Sequence, residues 1–307
     1  MKSFKVVVLS LIILVCTSAC QPAIPHNLPD REIIYQADFY GLGFVSADGQ
    51  GNQVFEFKRQ FTSPVWSADG LYLYGLARGK GLGGGYPAVW DLHKKRLKVC
   101  DWNQPNFEQI QSYQDSENPY MAVVYHTSAI IVFDIRTCQE KQFLVDYSGQ
   151  AGDYALAGFS YSQDRQELVY GLVEDPYGDR QYRLMLKNLT TGEETQLAVG
   201  VNPSWSPDSS QIAFVGLDGL YVITLANHTP ETTRLTNALL FEPWGSGASW
   251  SFITQPYWSP DGLWLVYHDY VSAENSKLEK VFIYKVHIHE GEPEAILEGG
   301  YYPSWHP

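Results

Sequence analysis

Few residues in this chain have the types and spacing for chemistry. His287-Ile288-His289-Glu290 puts two imidazoles two residues apart, on one side of a predicted strand. That is half of a metal site, which needs at least one further ligand, and it lies near a third-to-fourth strand turn, away from the long loops. His268-Asp269 is an adjacent base and acid, read here as part of a loop. Asp69, Asp164, Asp208 and Asp261 could pair as general acid and base, but all four occupy the same place in a repeated turn. The glycine-rich run Arg78 to Gly85 suggests a phosphate cradle. It lacks the Gly-Lys-Ser/Thr ending, and a strand pattern follows where a helix would be needed. No Gly-x-Ser-x-Gly nucleophile elbow occurs. We therefore assign no catalytic residue, no metal ligand and no cofactor from sequence.

The elements behind these residues repeat. Pro203-Ser204-Trp205-Ser206-Pro207-Asp208 runs into the apolar Ile212-Ala213-Phe214. It recurs around Trp258 and Trp66, in a worn form around Tyr161, and more loosely around Tyr113. A last copy, Pro303-Ser304-Trp305, stops at the chain end. The landmark aromatics at 66, 113, 161, 205, 258 and 305 are separated by 47, 48, 44, 53 and 47 residues. A repeat of that length is one four-stranded propeller blade. In each unit a strand ends at the aromatic, whose apolar body can wedge between blades. A Ser-Pro-Asp-Gly turn then leads into the next strand.

These residues resemble the TolB-type repeat, a WD40-like motif with consensus Pro-x-Trp-Ser-Pro-Asp-Gly. The resemblance extends over about residues 31 to 307 and implies an all-β, six-bladed propeller. Residues 31 to 60 hold three strands and lack the one that bears the aromatic, while Tyr301 to Trp305 is such a strand without its blade. Together they complete a blade, so both termini should close the ring. Trp66, Tyr113, Tyr161, Trp205, Trp258 and Trp305 are then structural.

The chain is 45% hydrophobic and 18% charged, with 21 Lys and Arg against 34 Asp and Glu, for a net charge of −13. A surface that acidic repels phosphate backbones, and we expect no basic patch to interrupt it, so nucleic acid is excluded as a partner. Aromatics reach 14%. The longer connections are Arg78 to Tyr86, Asp101 to Gln109, Glu174 to Gln181, Asn237 to Thr254 and His268 to Glu279. They fall on the propeller face opposite the Ser-Pro-Asp-Gly turns. Long loops on a rigid scaffold carry function. Their aromatic and polar residues, Trp102, Phe107, Tyr177, Trp244, Trp250, His268, Asp269 and Tyr270, are the candidate partner-binding set.

The N-terminus reads as an address. Lys2 and Lys5 precede an uncharged stretch from Val6 to Ala19, too short to span a bilayer. Small residues then lead to Cys20, which resembles the lipobox of bacterial lipoproteins, with Thr17 where Leu is usual. The domains expected are a signal peptide at 1–19, a Pro-rich lipid-anchored tether at 20–30 and the propeller at 31–307. Cys100 and Cys138 fit no metal spacing, and the sequence admits either a bridge or two thiols. TolB itself has a further N-terminal domain where this chain has the tether. The resemblance implies a non-enzymatic envelope module that binds a protein partner, attached to the membrane only by lipid. The alternatives are a polysaccharide lyase or glycoside hydrolase acting in the central pocket, and a passive glycan-binding protein. The lipobox makes one prediction: a fatty-acid probe fed to producing cells should label the protein through Cys20. Label that persists in Cys20→Ala contradicts it.

Overall fold

The computed structural model describes residues 33–37, 41–56, 60–67, 69–78, 85–100, 107–112, 118–126, 128–150, 152–225, 231–236, 255–272 and 279–307. Their strands form six antiparallel sheets of four, arranged as a propeller. The chain enters through β1 (Ile33–Gln36), β2 (Gly41–Val45) and β3 (Gln53–Glu56). Blade 1 is β4 (Gln60–Trp66), β5 (Tyr72–Arg78), β6 (Tyr86–Asp91) and β7 (Arg96–Val99). Blade 2 is β8 (Gln109–Ser112), β9 (Met121–His126), β10 (Ala129–Asp134) and β11 (Gln139–Asp146). Blade 3 is β12 (Tyr154–Tyr161), β13 (Glu167–Glu174), β14 (Gln181–Asn188) and β15 (Glu194–Ala198). Blade 4 is β16 (Val201–Trp205), β17 (Gln211–Gly216), β18 (Gly219–Thr224) and β19 (Glu231–Arg234). Blade 5 is β20 (Tyr257–Trp258), β21 (Trp264–Ser272), β22 (Glu279–His287) and β23 (Glu294–Glu298). The last strand, β24 (Tyr301–Trp305), pairs with β1 and completes blade 6. Ile33 lies opposite Trp305, and Ile34 opposite Ser304.

Each repeat does two physical jobs. Its aromatic is a wedge against the blade before it. Trp66 packs with Ile34, Leu42 and Phe44 of blade 6. Trp205 packs with Val169 and Leu184 of blade 3, and Trp305 with Val266 and Ile283 of blade 5. Trp258 also donates its indole N–H to the Ser204 carbonyl of blade 4, at 2.9 Å. All four indoles are buried, and truncating a wedge of that size to Ala costs roughly 3–5 kcal/mol. Tyr161 is half-buried in its place, and Tyr113 lies outside the described residues.

The second job is the turn. In four blades a serine hydroxyl donates to the aspartate two residues on, as Ser162 to Asp164 and Ser206 to Asp208, both at 2.7 Å. The same hydroxyl accepts the N–H of the residue five places on, Glu167 or Gln211. The fourth turn position needs positive φ. Gly70 and Gly262 take it freely, while Arg165 and Ser209 adopt it at φ 58. The Gln166 N–H holds the Asp164 carboxyl below the usual carboxylate range, and the Ser206 and Ser259 hydroxyls do the same to Asp208 and Asp261. That contribution to stability is present at neutral pH and is lost as acid protonates these groups.

Cys100, at the end of β7, is bonded to Cys138 in the β10–β11 turn, with 5.4 Å between their Cα atoms. The bridge staples blade 1 to blade 2, so the choice that sequence left open falls on a disulfide. A 38-residue closure is worth about 4 kcal/mol in the chain-entropy picture.

Closure joins the two ends of the chain, so the last strand should matter far more than terminal residues usually do. Deleting Tyr301 to Pro307 should lower the Tm sharply or leave the protein insoluble. A truncated chain that melts like the full one would contradict the closure.

Candidate functional site

The propeller has a turn face, carrying the Ser-Pro-Asp-Gly turns and the β6–β7 type hairpins, and a loop face opposite. Between them runs the axis, lined by the first strand of each blade. Three residues before the landmark aromatic these strands bulge. Ser63, Gly158, Asn202 and Tyr302 stand there with φ of 52, 78, 50 and 48. The ladder register shifts at the same points. Pro64, Pro203 and Pro303 follow the bulge in three of them, where a missing N–H costs no ladder bond.

The bulges shape an amide knot at the axis. Gln109 of blade 2 donates to the Gln255 side-chain carbonyl at the entry to blade 5, which stands opposite in a six-blade ring. The Gln255 amide donates in turn to the Phe159 carbonyl of blade 3 at 3.1 Å and to the Pro203 carbonyl of blade 4 at 2.7 Å. Gln111 donates to the same Phe159 carbonyl at 2.7 Å. Tyr257 hydrogen-bonds Gln109, and burial raises its phenol above the ordinary range. Both Gln109 and Gln255 are buried. Four blades are thus tied together across the axis by neutral side chains that neither donate nor take up a proton at ordinary pH.

Two clefts open on the loop face. One, of about 370 Å³, lies at the top of blade 3 and is lined by Gln150, Asp153, Tyr154, Glu174 and Asp175. Its wall is built by backbone: the Asp175 N–H donates to the Asp153 carbonyl at 2.8 Å, and the Asp175 carboxylate accepts the Asp179 N–H at 3.0 Å. Glu174 pairs with Arg183 on the neighbouring strand. The turn that closes this cleft lifts Tyr177 out, 76% exposed. The other cleft, of about 260 Å³, lies on blade 4 with Val199, Leu217 and the stacked rings of Phe214 and Tyr221 in its lining. Val199 and Leu217 are half exposed.

The sequence-based binding set divides against this geometry. Tyr177 stands on the loop face beside the acidic cleft. Trp102, Trp244 and Trp250 lie outside the described residues, and Tyr270 is described only through its backbone, opposite Val281 in β21–β22. Phe107 is a correction. It is buried between blades 1 and 2 against Phe133, where a bridge from Gly85 holds its backbone. His268 and Asp269 are another. The apolar alternation carries β21 on to Ser272, so both residues are paired strand positions, opposite Ile283 and Phe282. His268 is buried, its Nδ1 accepts the Tyr302 N–H of blade 6 at 3.2 Å, and burial holds its pKa down at about 3. It is a neutral structural link between blades. His287 ends β22 and His289 lies beyond it in a turn. Among the described residues no group of three or more His, Cys, Asp or Glu is placed to hold a metal.

Sequence reading missed two features. The glutamines of the knot carry no motif of their own, and only their place in the repeat, three before Trp258 for Gln255, marks them. The expectation of an unbroken acidic surface fails at His93-Lys94-Lys95-Arg96-Leu97-Lys98, a run visible in the sequence but masked by the overall charge.

No family model matches the chain, and no curated protein sequence matches it. Solved structures do match its fold. A TolB-like six-bladed propeller from Agrobacterium tumefaciens aligns at a TM-score of 0.58 and 15% identity, over 90% of this chain and 98% of that one. A chain of a nidogen/laminin complex aligns at 0.59 and 10%, over 90% and 98%. A protein of unknown function from Desulfotomaculum acetoxidans aligns at 0.53 and 12%, over 91% and 100%. The fold is therefore a TolB-like propeller, and identities this low speak for the fold alone.

The knot makes a measurable prediction. Gln109→Ala and Gln255→Ala each leave buried polar atoms without their partner, at a cost of about 1–3 kcal/mol. The double variant should cost less than the two singles together, by about 1 kcal/mol in urea unfolding. Strict additivity would contradict the direct bond across the axis.

Proposed function

We propose that this chain is a non-enzymatic binding module of the bacterial envelope that receives a protein partner on its loop face. The observation that carries the reading is the amide knot: the axis, where a propeller enzyme would gather its reacting groups, is occupied by Gln109 and Gln255 bonded to each other and to two further blades. An enzyme working in the central pocket would have to break that knot. The loop face instead offers open, shallow relief, with acidic Asp153, Glu174 and Asp175 in one cleft and apolar Val199 and Leu217 in the next. That pairing suits a partner segment carrying basic and apolar side chains, and the net charge of −13 favours its approach.

The address is part of the same reading. We take residues 1–19 as a signal peptide, Cys20 as the lipidated N-terminus and 20–30 as the tether. The disulfide between Cys100 and Cys138 supports export, because such bonds persist in oxidising compartments. Among the described residues no helix is long and apolar enough to cross a membrane.

Crosslinking in native envelopes tests the binding face. Tyr177→Ala combined with Leu217→Ser alters exposed side chains only, and should cut the yield of the specific crosslinked species at least tenfold. Leu71→Ser with Leu263→Ser, exposed positions on the turn face, should leave it unchanged. The opposite pattern would assign partner binding to the wrong face.

A further inference from the structure

The turn face is not uniformly acidic. The hairpin between β6 and β7 carries Lys94, Lys95, Arg96 and Lys98 against one acid, Asp91, for a local charge of +3 in a chain of −13. Its counter-charge is hidden. Asp91 is buried and takes Lys94 at 3.2 Å from below, leaving the lysine side chain 68% exposed. Blade 2 repeats the device next door: Asp134 is buried and Arg136, 3.6 Å away, is 60% exposed. Within β7 the alternation sorts the faces. Leu97 and Val99 pack on the cluster of Phe44, Trp66 and Trp90, so Arg96 and Lys98 project from the other side, toward blade 2. The surface shows the cations and buries the anions.

The place of this patch matters as much as its sign. Tyr72, the first strand residue after the Ser67 to Gly70 turn, pairs with Asp91, so the hairpin tip lies on the turn face. Ile33 pairs with Trp305, the residue that precedes the corresponding turn position, so the chain enters blade 6 on that same face. Blade 6 adjoins blade 1, where the His306 ring meets Trp66 at 4.4 Å. The described chain therefore begins, at Ile33, on the turn face of blade 6, the neighbour of the blade that carries the basic hairpin. Twelve residues from Cys20 reach at most about 40 Å.

We propose that the β6–β7 hairpin is a contact for anionic lipid headgroups, which turns the blade 1 side of the turn face toward the membrane. The orientation rests on the lipid-anchored reading of Cys20; the hairpin's attraction to anionic lipid does not. The turn face also carries Asp69 on blade 1, which the four hairpin cations outnumber, and Asp164, Asp208 and Asp261 on blades 3 to 5, which an anionic bilayer repels. Attraction at blade 1 and repulsion opposite it tilt the propeller onto its blade 1 edge. The clefts of blades 3 and 4 then face away from the bilayer, open to a partner.

The test uses the full chain on vesicles of phosphatidylcholine alone and of phosphatidylcholine mixed with phosphatidylglycerol. A fluorescent probe is placed at His93→Cys or at Tyr177→Cys, with a nitroxide quencher on a lipid headgroup. On the anionic vesicles the probe at 93 should be quenched several-fold more than the probe at 177, and raised salt should abolish the difference. Each surface cation is worth roughly fivefold in partitioning. Lys95→Gln/Arg96→Gln/Lys98→Gln, which spares the Lys94–Asp91 pair, should therefore weaken the anionic contact on the order of 100-fold with little change in Tm. Equal quenching at both positions, or no effect of lipid charge, overturns the proposal, as does tighter binding of the hairpin to soluble heparin than to the anionic vesicles. A chain that fails to stay on neutral vesicles but binds anionic ones through the hairpin rejects the anchor and keeps the headgroup contact.

Discussion

The pairing of β24 with β1 is the constraint on which the rest of the molecule depends. Among the described residues Trp66, Tyr161, Trp205, Trp258 and Trp305 each pack against the blade before their own, so these blades have no complete core until the ring is closed. The last wedge, Trp305, is held by the first strand of the chain through Ile33. Around this joint Tyr302 leans on His268 of blade 5, and His306 on Trp66 of blade 1. Opening the joint would expose the backbone of two strands and the flanks of two neighbouring blades together. Local stability in such a ring is inherited from closure.

Closure also forms the axis. Four of the first strands bend near their middle as they converge, at the bulges of Ser63, Gly158, Asn202 and Tyr302. Carbonyls just past the bulge, those of Phe159 and Pro203, accept the glutamine amides that fill the centre. A buried neutral network of this kind is favourable only when its members are satisfied, and Gln255 alone serves three blades. The axis is thereby a structural element, between a basic edge on one face and acidic and apolar clefts on the other.

The fold was legible because the repeat writes its physics into residue types. Trp marks the wedge, Ser and Asp the hydrogen-bonded turn, Gly the positive φ, and Pro the strand position that needs no ladder donor. The closing strand could be read from the missing copy at one end and the surplus copy at the other. The candidate binding surface was less legible, because exposure is not a property of a residue type. Phe107 and Tyr177 are both aromatics near loops. One is buried because Gly85 pairs over it, and the other is raised by a tight turn through Asp175 and Gly178. His268 and Asp269 are a polar pair in the sequence, yet a buried strand accepts a histidine whose ring nitrogen meets a backbone N–H. The basic hairpin was hidden by averaging charge over the chain.

Amide hydrogen exchange at the two strands of the closing pair tests the central claim most directly. If the ring is held shut by β24 on β1, the hydrogen-bonded amides of Tyr301 to Trp305 and Ile33 to Gln36 should exchange at the rate set by global unfolding, together with those of β12 and β16 in the middle of the chain. If the amides of Tyr301 to Trp305 exchange as a frayed terminus does, orders of magnitude faster than those of β12 and β16, the ring is not closed by its ends and the account fails.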